Sequence, residues 1–202
     1  QEYFVNEVKF GTLLNFTAGV NIGLINASQY RIFSVGSSVP SAINNKVLGA
    51  WFGVSVFSSE AENAEGIQKA IIASTNGTVD FGGSRVQVGA TVAIPTNTNG
   101  VTIKNLYVNV NGASVPALSF TNSEITILDS KIEGVETDSD CNIKIINCEV
   151  IFSSSAQGLT LLGETIEVRG TKIGYLGGSG WTGVVQLGSV ATQSTTESII
   201  YT

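Results

Sequence analysis

The residues with the most chemistry to offer are four carboxylates in one short stretch: Glu133, Glu136, Asp138 and Asp140. Two carboxyl groups flanking a glycosidic bond can cleave it, one as acid and the other as base or nucleophile. Asp138 and Asp140 are also oxygen donors of the kind that Ca2+ accepts. The simpler reading is a solvated acidic loop between two repeats, and no metal site is expected. Trp181 and Tyr175 offer flat apolar faces that stack on sugar rings, although packing inside the protein or against a subunit is their plainer use. The chain contains no histidine, which removes Ser-His-Asp and Cys-His catalysis and histidine metal sites. No phosphate-cradling glycine loop precedes a helix, so nucleotide chemistry has no support. Carboxylate chemistry remains, and no cofactor is expected.

The elements that must position these acids are written as a repeat. An aliphatic–polar–aliphatic phrase starts at Val101, Ile125, Ile143 and Ile166, so the starts are 24, 18 and 23 residues apart. Four residues after each start stands a bend residue (Asn105, Asp129, Asn147, Gly170) of a type that tolerates a left-handed backbone. A second alternating strand begins at once. Alternation means a strand with one buried face, and strand–bend–strand every 20 residues or so describes one coil of a solenoid. Uneven spacing suits a parallel β-helix with variable loops; it does not suit a strict hexapeptide left-handed helix. The leucine pattern of a leucine-rich repeat is missing. The expectation is an all-β, right-handed parallel β-helix. Within it Asp129 belongs to the ladder of bends. Glu149 shares the outward position of Tyr107, Lys131 and Lys172, and Lys131, Lys144 and Lys172 read as solvated charges that deter edge pairing.

Composition agrees. The chain has 202 residues, 43% hydrophobic, 23 Gly, 3 Pro and a charged fraction of 13%, about half the usual share. Few charges with many Val, Ile, Thr, Ser, Asn and Gly suit β-structure with hydroxyl- and amide-covered outer faces. A net charge of −6 argues against nucleic acid, which needs a basic footprint, and against an anionic membrane surface. No apolar run reaches the roughly 18 residues of a membrane helix, so no insertion is expected. The apolar stretch 47–57 reads as buried strand. Cys141 and Cys148 flank one strand, which would hold them beyond the roughly 7 Å between Cα atoms that a disulfide allows; buried free thiols are expected. The chain starts at Gln1, has no Met and shows no signal sequence, which reads as a processed protein or an excerpt of a longer one.

Two regions follow from the order of elements. Residues 1–57 show short alternating segments without the repeat phrase, 30–35 being the clearest strand, and read as a small β-rich N-terminal region. Residues 58–202 hold the solenoid and its cap. Ser59 and Glu62 form a capping box, with Glu60, Glu62 and Glu65 near the helix start. Ala64, Ile67, Ala70 and Ile71 fall on one face, and Asn76-Gly77 closes a helix over 59–75. An open solenoid end exposes apolar core, and this helix precedes the first coil, which reads as 78–83, 85–88 and 91–95.

Glu65 to Ile71 with its Ala-Ile core, then Gly77-Thr78-Val79 and Gly100-Val101-Thr102-Ile103, resembles the opening of the pectate-lyase-like β-helices. Among these it is most similar to bacteriophage tailspike and tail-fibre proteins. The resemblance covers about residues 60–176. It departs from the family in lacking an Asp-Gly-rich segment before the helix, and in having room for only about 4–6 coils, roughly 20–30 Å of stack. It implies a virion structural protein of the phage tail, extracellular, used in attachment to bacterial surface polysaccharide. It further implies a homotrimer that meets other tail or virion proteins through the N-terminal region. Two alternatives stand beside it. One is a polysaccharide depolymerase of the same fold, acting through Glu133, Glu136, Asp138 or Asp140. The other is a non-viral cell-surface adhesin or structural solenoid.

Overall fold

The computed structural model describes residues 13–15, 21–22, 30–34, 37, 42–43, 46–111, 115–152, 159–175 and 185–187. Near the start lie short strands β1 (Asn21–Ile22), β2 (Ala42–Ile43) and β3 (Val47–Leu48), then a 3-10 helix over Gly49–Phe52 and helix α1 (Glu60–Ala73). From there strands come in threes. The first triplet is β4 (Thr78–Asp80), β5 (Arg85–Val88) and β6 (Val92–Ile94). The second is β7 (Val101–Lys104), β8 (Tyr107–Val110) and β9 (Leu118–Phe120). The third is β10 (Glu124–Leu128), β11 (Lys131–Glu133) and β12 (Val135–Thr137). The fourth is β13 (Asn142–Ile146), β14 (Glu149–Phe152) and β15 (Leu159–Leu161), and the fifth β16 (Thr165–Arg169), β17 (Lys172–Tyr175) and β18 (Val185–Leu187).

Each strand pairs in parallel with its counterpart three strands on, so three parallel sheets form, one from each position of the triplet. This architecture is predominantly β, with one α-helix among the described residues, and is compatible with a solenoid. Register carries like over like. Val47, Val79, Ile103, Ile127, Ile145 and Val168 stand one above the next in the first sheet. Val86, Val108, Ile132, Val150 and Ile173 do the same in the second, and Val92, Leu118, Val135, Leu159 and Val185 in the third. The interior members of these columns are buried: Ile103, Ile127, Ile132, Val135, Ile145 and Val150 are each 0% exposed. Each such side chain contributes about 1.5–3 kcal/mol by leaving water.

The bends are left-handed where the sequence places them. Asn105, Asp129, Asn147 and Gly170 have φ of 52°, 48°, 53° and 57°, a region where an unbranched polar residue or glycine is tolerated and a β-branched one is strained. A second series of left-handed residues, Asn97, Gly100 and Asn122 (φ 64°, 65° and 43°), turns the chain between the third sheet and the next strand of the first.

Helix α1 begins with the expected box. Glu62 N–H donates to Ser59 Oγ at 3.3 Å and Ser59 N–H to Glu62 Oε2 at 3.1 Å. Ile67, Ala70 and Ile71 are fully buried, and the helix packs on β5 and β6, the outermost strands at that end of their sheets. It stops at Ala73, before Asn76. Ser74 and Thr75 hydroxyls donate back to the Ile71 and Ile72 carbonyls, at 2.8 Å each, and Asn76 (φ 59°) then turns the chain.

Two expectations are corrected. The stretch 47–57 is not one buried strand. It is β3, then the 3-10 helix ended by Gly53 (φ 86°), then a loop that leaves Val56 55% and Phe57 95% exposed. β3 nonetheless pairs with β4 and so extends the first sheet. Residues 30–34 are likewise not a regular strand: Phe33 forms an isolated bridge to Leu14 and packs on Phe52 with ring centroids 4.7 Å apart, while Tyr30 is 71% exposed. Alternation there reflects a single anchoring aromatic.

Urea unfolding should show Ile127→Ala losing about 2–5 kcal/mol, the range for a fully buried aliphatic truncated to alanine. Asn147→Val should cost about 1–3 kcal/mol from backbone strain at its left-handed bend, and Asn147→Gly much less. Equal losses in the two variants would show that the bend conformation is not what Asn147 supplies.

Candidate functional site

Half of the acidic stretch, Glu133 and Val135–Thr137, is strand, which corrects its reading as a loop. Glu133 ends β11 in the second sheet, Gly134 (φ 78°) turns the corner, and Glu136 lies in β12 of the third sheet. Val135 and Thr137 point inward and are buried, so Glu136 between them faces outward. Thr137 pays for its burial by bonding the next coil: its hydroxyl donates to Leu162 O at 2.5 Å and accepts Leu162 N–H at 2.9 Å. The Val135-x-Thr137 alternation was the signal for this strand, masked in the sequence by the surrounding acids.

The four acids do different work. Glu133 is only 7% exposed, and its Oε2 accepts the Val110 N–H at 3.0 Å while its carbonyl accepts Ala117 N–H at 2.7 Å. It thereby braces the chain on both sides of residues 112–114. Asp138 Oδ1 accepts from Asn122 N at 3.0 Å, Asp140 N at 3.2 Å and Cys141 Sγ at 3.1 Å. Burial alone would raise the Asp138 pKa, but these donors outweigh it and hold the carboxyl below its ordinary value. Asp140 is exposed and lines an open recess of ≈ 410 Å³ with Asn99, Asn122, Glu124, Asn142 and Glu164. Glu133 and Glu136 are not among the residues that line it.

That recess sits at the corner where each third-sheet strand hands over to the next first-sheet strand. An amide ladder that sequence reasoning missed builds its wall. Asn122 Nδ2 donates to Asn97 Oδ1 at 3.1 Å, Asn99 Oδ1 accepts Glu124 N–H at 3.1 Å, and Asn142 N–H donates to Ser123 O at 2.8 Å. The isolated Asn residues before Val101 and Ile125 were its only trace. Glu124 and Glu164 bring two more carboxylates to Asp140, a surface rich in acceptors. No cluster of three or more His, Cys, Asp or Glu side chains among the described residues has the geometry to hold a metal ion.

A second recess, of ≈ 390 Å³, lies beside the loop 53–58 and β5. Tyr175 closes β17 in register with Phe152, and Trp181 lies outside the described residues. The outward column of the second sheet runs Arg85, Tyr107, Lys131, Glu149, Lys172. Three of its charges are paired rather than solvated singly: Glu149 lies 2.9 Å from Lys131 and 3.7 Å from Lys172. The Lys131 bond holds the Glu149 carboxyl below its ordinary value against a smaller effect of burial. Lys144 meets Glu167 at 3.8 Å. Cys141 and Cys148 are free and buried; burial and then the neighbouring Asp138 push the Cys141 thiol up to about 11.

No protein-family model matches this chain, and no curated protein and no solved structure matches it. No helix among the described residues is long and apolar enough to cross a membrane.

Two outcomes follow. Asp138 and Glu149 have lowered folded-state pKa values, so their stabilisation is present above the unfolded carboxylate range near pH 4. It is lost as pH falls through the folded values. Urea midpoints measured between pH 5 and 3 should therefore fall for the parent chain and fall less for Asp138→Asn. A colorimetric thiol reagent at pH 8 should leave both cysteines unmodified in the folded chain and titrate both in urea, because a buried protonated thiol is a poor nucleophile. Fast native reaction would contradict the placement of the two side chains.

Proposed function

We propose that the chain is a right-handed parallel β-helix of the tailspike or tail-fibre kind, a virion structural protein that attaches the particle to bacterial surface polysaccharide. The observation that carries this reading is helix α1, which leads straight into the first strand triplet and covers the start of the second and third sheets. The 24-, 18- and 23-residue intervals fit a right-handed coil with variable loops, and right-handed crossovers between parallel strands are the rule. Outer faces made of Thr, Asn, Ser and paired charges suit contact with a hydroxyl-rich polymer. In this reading the chain works as a homotrimer, extracellularly, on the phage tail, and residues 1–57 meet other virion proteins. Carbohydrate contact through Tyr175 and Trp181 belongs to the same reading.

A second reading has one observation in its favour. Asp140, Glu124 and Glu164 share an open recess, and paired carboxylates are the requirement for glycoside cleavage. Asp140 is then the acid of the 133–140 stretch best placed for that chemistry.

Light scattering tests the assembly. A species of three 21.1 kDa chains that resists detergent is expected, and a clean monomer would overturn the trimeric spike. A reducing-end assay on bacterial polysaccharides separates the two readings. Attachment alone releases none. Release that drops by a hundredfold or more in Asp140→Asn, the loss typical of a missing acid–base group, would replace attachment with cleavage.

A further inference from the structure

The two ends of the stack are not alike. At the first coil α1 packs on β5 and β6, and β3 extends the first sheet. At the fifth coil β16, β17 and β18 each pair on one side only, so among the described residues all three sheets end there in an open edge. The core is unfinished at that edge. Ile103, Ile127 and Ile145 are 0% exposed, whereas Val168, which continues their column, and Ile166 beside it are only partly buried.

Backbone direction shows which groups β16 leaves over. The N–H and C=O of one strand residue point to the same side, and successive residues alternate. Arg169 O accepts the Asn147 N–H at 2.9 Å, so Arg169 and Glu167 turn their backbone groups to β13. Ile166 and Val168 turn theirs to the open side. Gly170 stands where Asn105, Asp129 and Asn147 stand in earlier coils, and each of those sends its N–H to the next coil. Gly170 has no next coil among the described residues to receive its own. An unpaired row of this kind is a template for another strand.

We propose that this edge pairs with the same edge of a second copy, β16 running antiparallel to its counterpart about a two-fold axis at Val168. Charge selects both the partner and the register. Centred on Val168, the pairing sets Glu167 opposite the partner's Arg169 and Arg169 opposite the partner's Glu167. Val168 N–H then meets the partner's Val168 carbonyl, and Gly170 N–H the partner's Ile166 carbonyl. Centred on Glu167 or on Arg169, the pairing would set like charges directly opposite, which destabilises a sheet. An odd shift would place inward side chains beside outward ones. Opposite charges flanking the axis are self-complementary, as an isologous interface requires. Glu167 and Arg169 already pair within one chain, so each keeps an opposite charge beside it with or without the second copy. The contact is small. Five residues of β16 span about 17 Å, and the coil end falls short of the roughly 800 Å² a side of a stable interface, so the pairing is weak and concentration-dependent. It does not rest on the attachment reading. It doubles whatever assembly the sides of the stack form, and where three chains pack side by side it gives a dihedral assembly.

Sedimentation equilibrium over a wide range of protein concentration tests the pairing, with the parent chain, Glu167→Arg, Arg169→Glu and the double variant that exchanges the two. Melting curves verify the fold of each. The parent's mass should double as concentration rises. Each single reversal should weaken that doubling roughly tenfold, because both cross-strand pairs turn repulsive. The double variant restores opposite charges across the axis and should recover it. Hydrogen exchange adds a readout that needs no variant: the Val168 and Gly170 amides of the parent should exchange more slowly at high concentration than at low. A mass that does not double would overturn the pairing. So would protection of those amides at every concentration, which would assign the edge to a strand of the same chain. Equal doubling in both single variants, or none in the double variant, would overturn the register centred on Val168.

Discussion

Everything in this structure depends on the chain bending left-handed at the same place in each coil from the second to the fifth. A strand's side chains alternate between faces, so a slip of one residue would turn every inward aliphatic outward. Asn105, Asp129, Asn147 and Gly170 prevent that slip, and hydrogen bonding continues through the bends. Asn105 N–H reaches Leu128 O at 3.3 Å, Asp129 N–H reaches Ile146 O at 3.1 Å and Asn147 N–H reaches Arg169 O at 2.9 Å. The bend is therefore part of the stack and not a gap in it. At the first coil Asp80 serves the same corner. It accepts Asn105 Nδ2 at 2.9 Å, Gly82 N–H at 2.9 Å and the Lys46 ammonium at 2.5 Å.

Stacking of this kind makes columns of like residues, and each column has a physical consequence. Inward columns of Val, Ile and Leu form a continuous core along the stack. Outward columns would set like charges over one another unless the sequence alternates them. In the second sheet Lys131, Glu149 and Lys172 do alternate. Exposed pairs like these contribute only about 0–1 kcal/mol each; their larger effect is to remove the repulsion that a column of one sign would carry. Ends are a separate problem, because a stack exposes its last coil. Helix α1 and the 3-10 helix cover the first coil, whereas Ile166, Val168 and Ile173 in the fifth are only partly buried.

The two recesses have a character that bears on function. Both are open and lined mainly by amides, hydroxyls and carboxylates. Cleaving a glycosidic bond gains most from a water-excluding site with pre-set dipoles, and both recesses are open to solvent. Recognition of an extended polar polymer needs less enclosure: shallow contacts, repeated along a rigid surface, add up. The acids of the 133–140 stretch show how context divides similar residues. Glu133 bonds the backbone of Val110 and Ala117, Asp138 ties a corner, Glu136 faces water and Asp140 alone opens onto a recess.

The sequence by itself determined the repeated strand–bend–strand unit. Alternating aliphatics, the spacing of Asn105, Asp129 and Asn147, and the Ser59–Glu62 capping box are local patterns, and each led to the strand, bend or helix start observed. It also placed Glu149 in the outward column of Lys131 and Lys172, since register follows from the repeated phrase. What it could not supply were contacts between residues distant in the chain. The Asn97–Asn122–Asp138 corner joins three coils, so no single window contains it. Glu133 is buried because Val110, 23 residues earlier, has an N–H to satisfy, and Phe57 is exposed because Asn63 and Gln87 hold its loop away from the core. Local pattern decides which residues alternate; only the tertiary structure decides which polar groups find partners and which apolar ones are left in water.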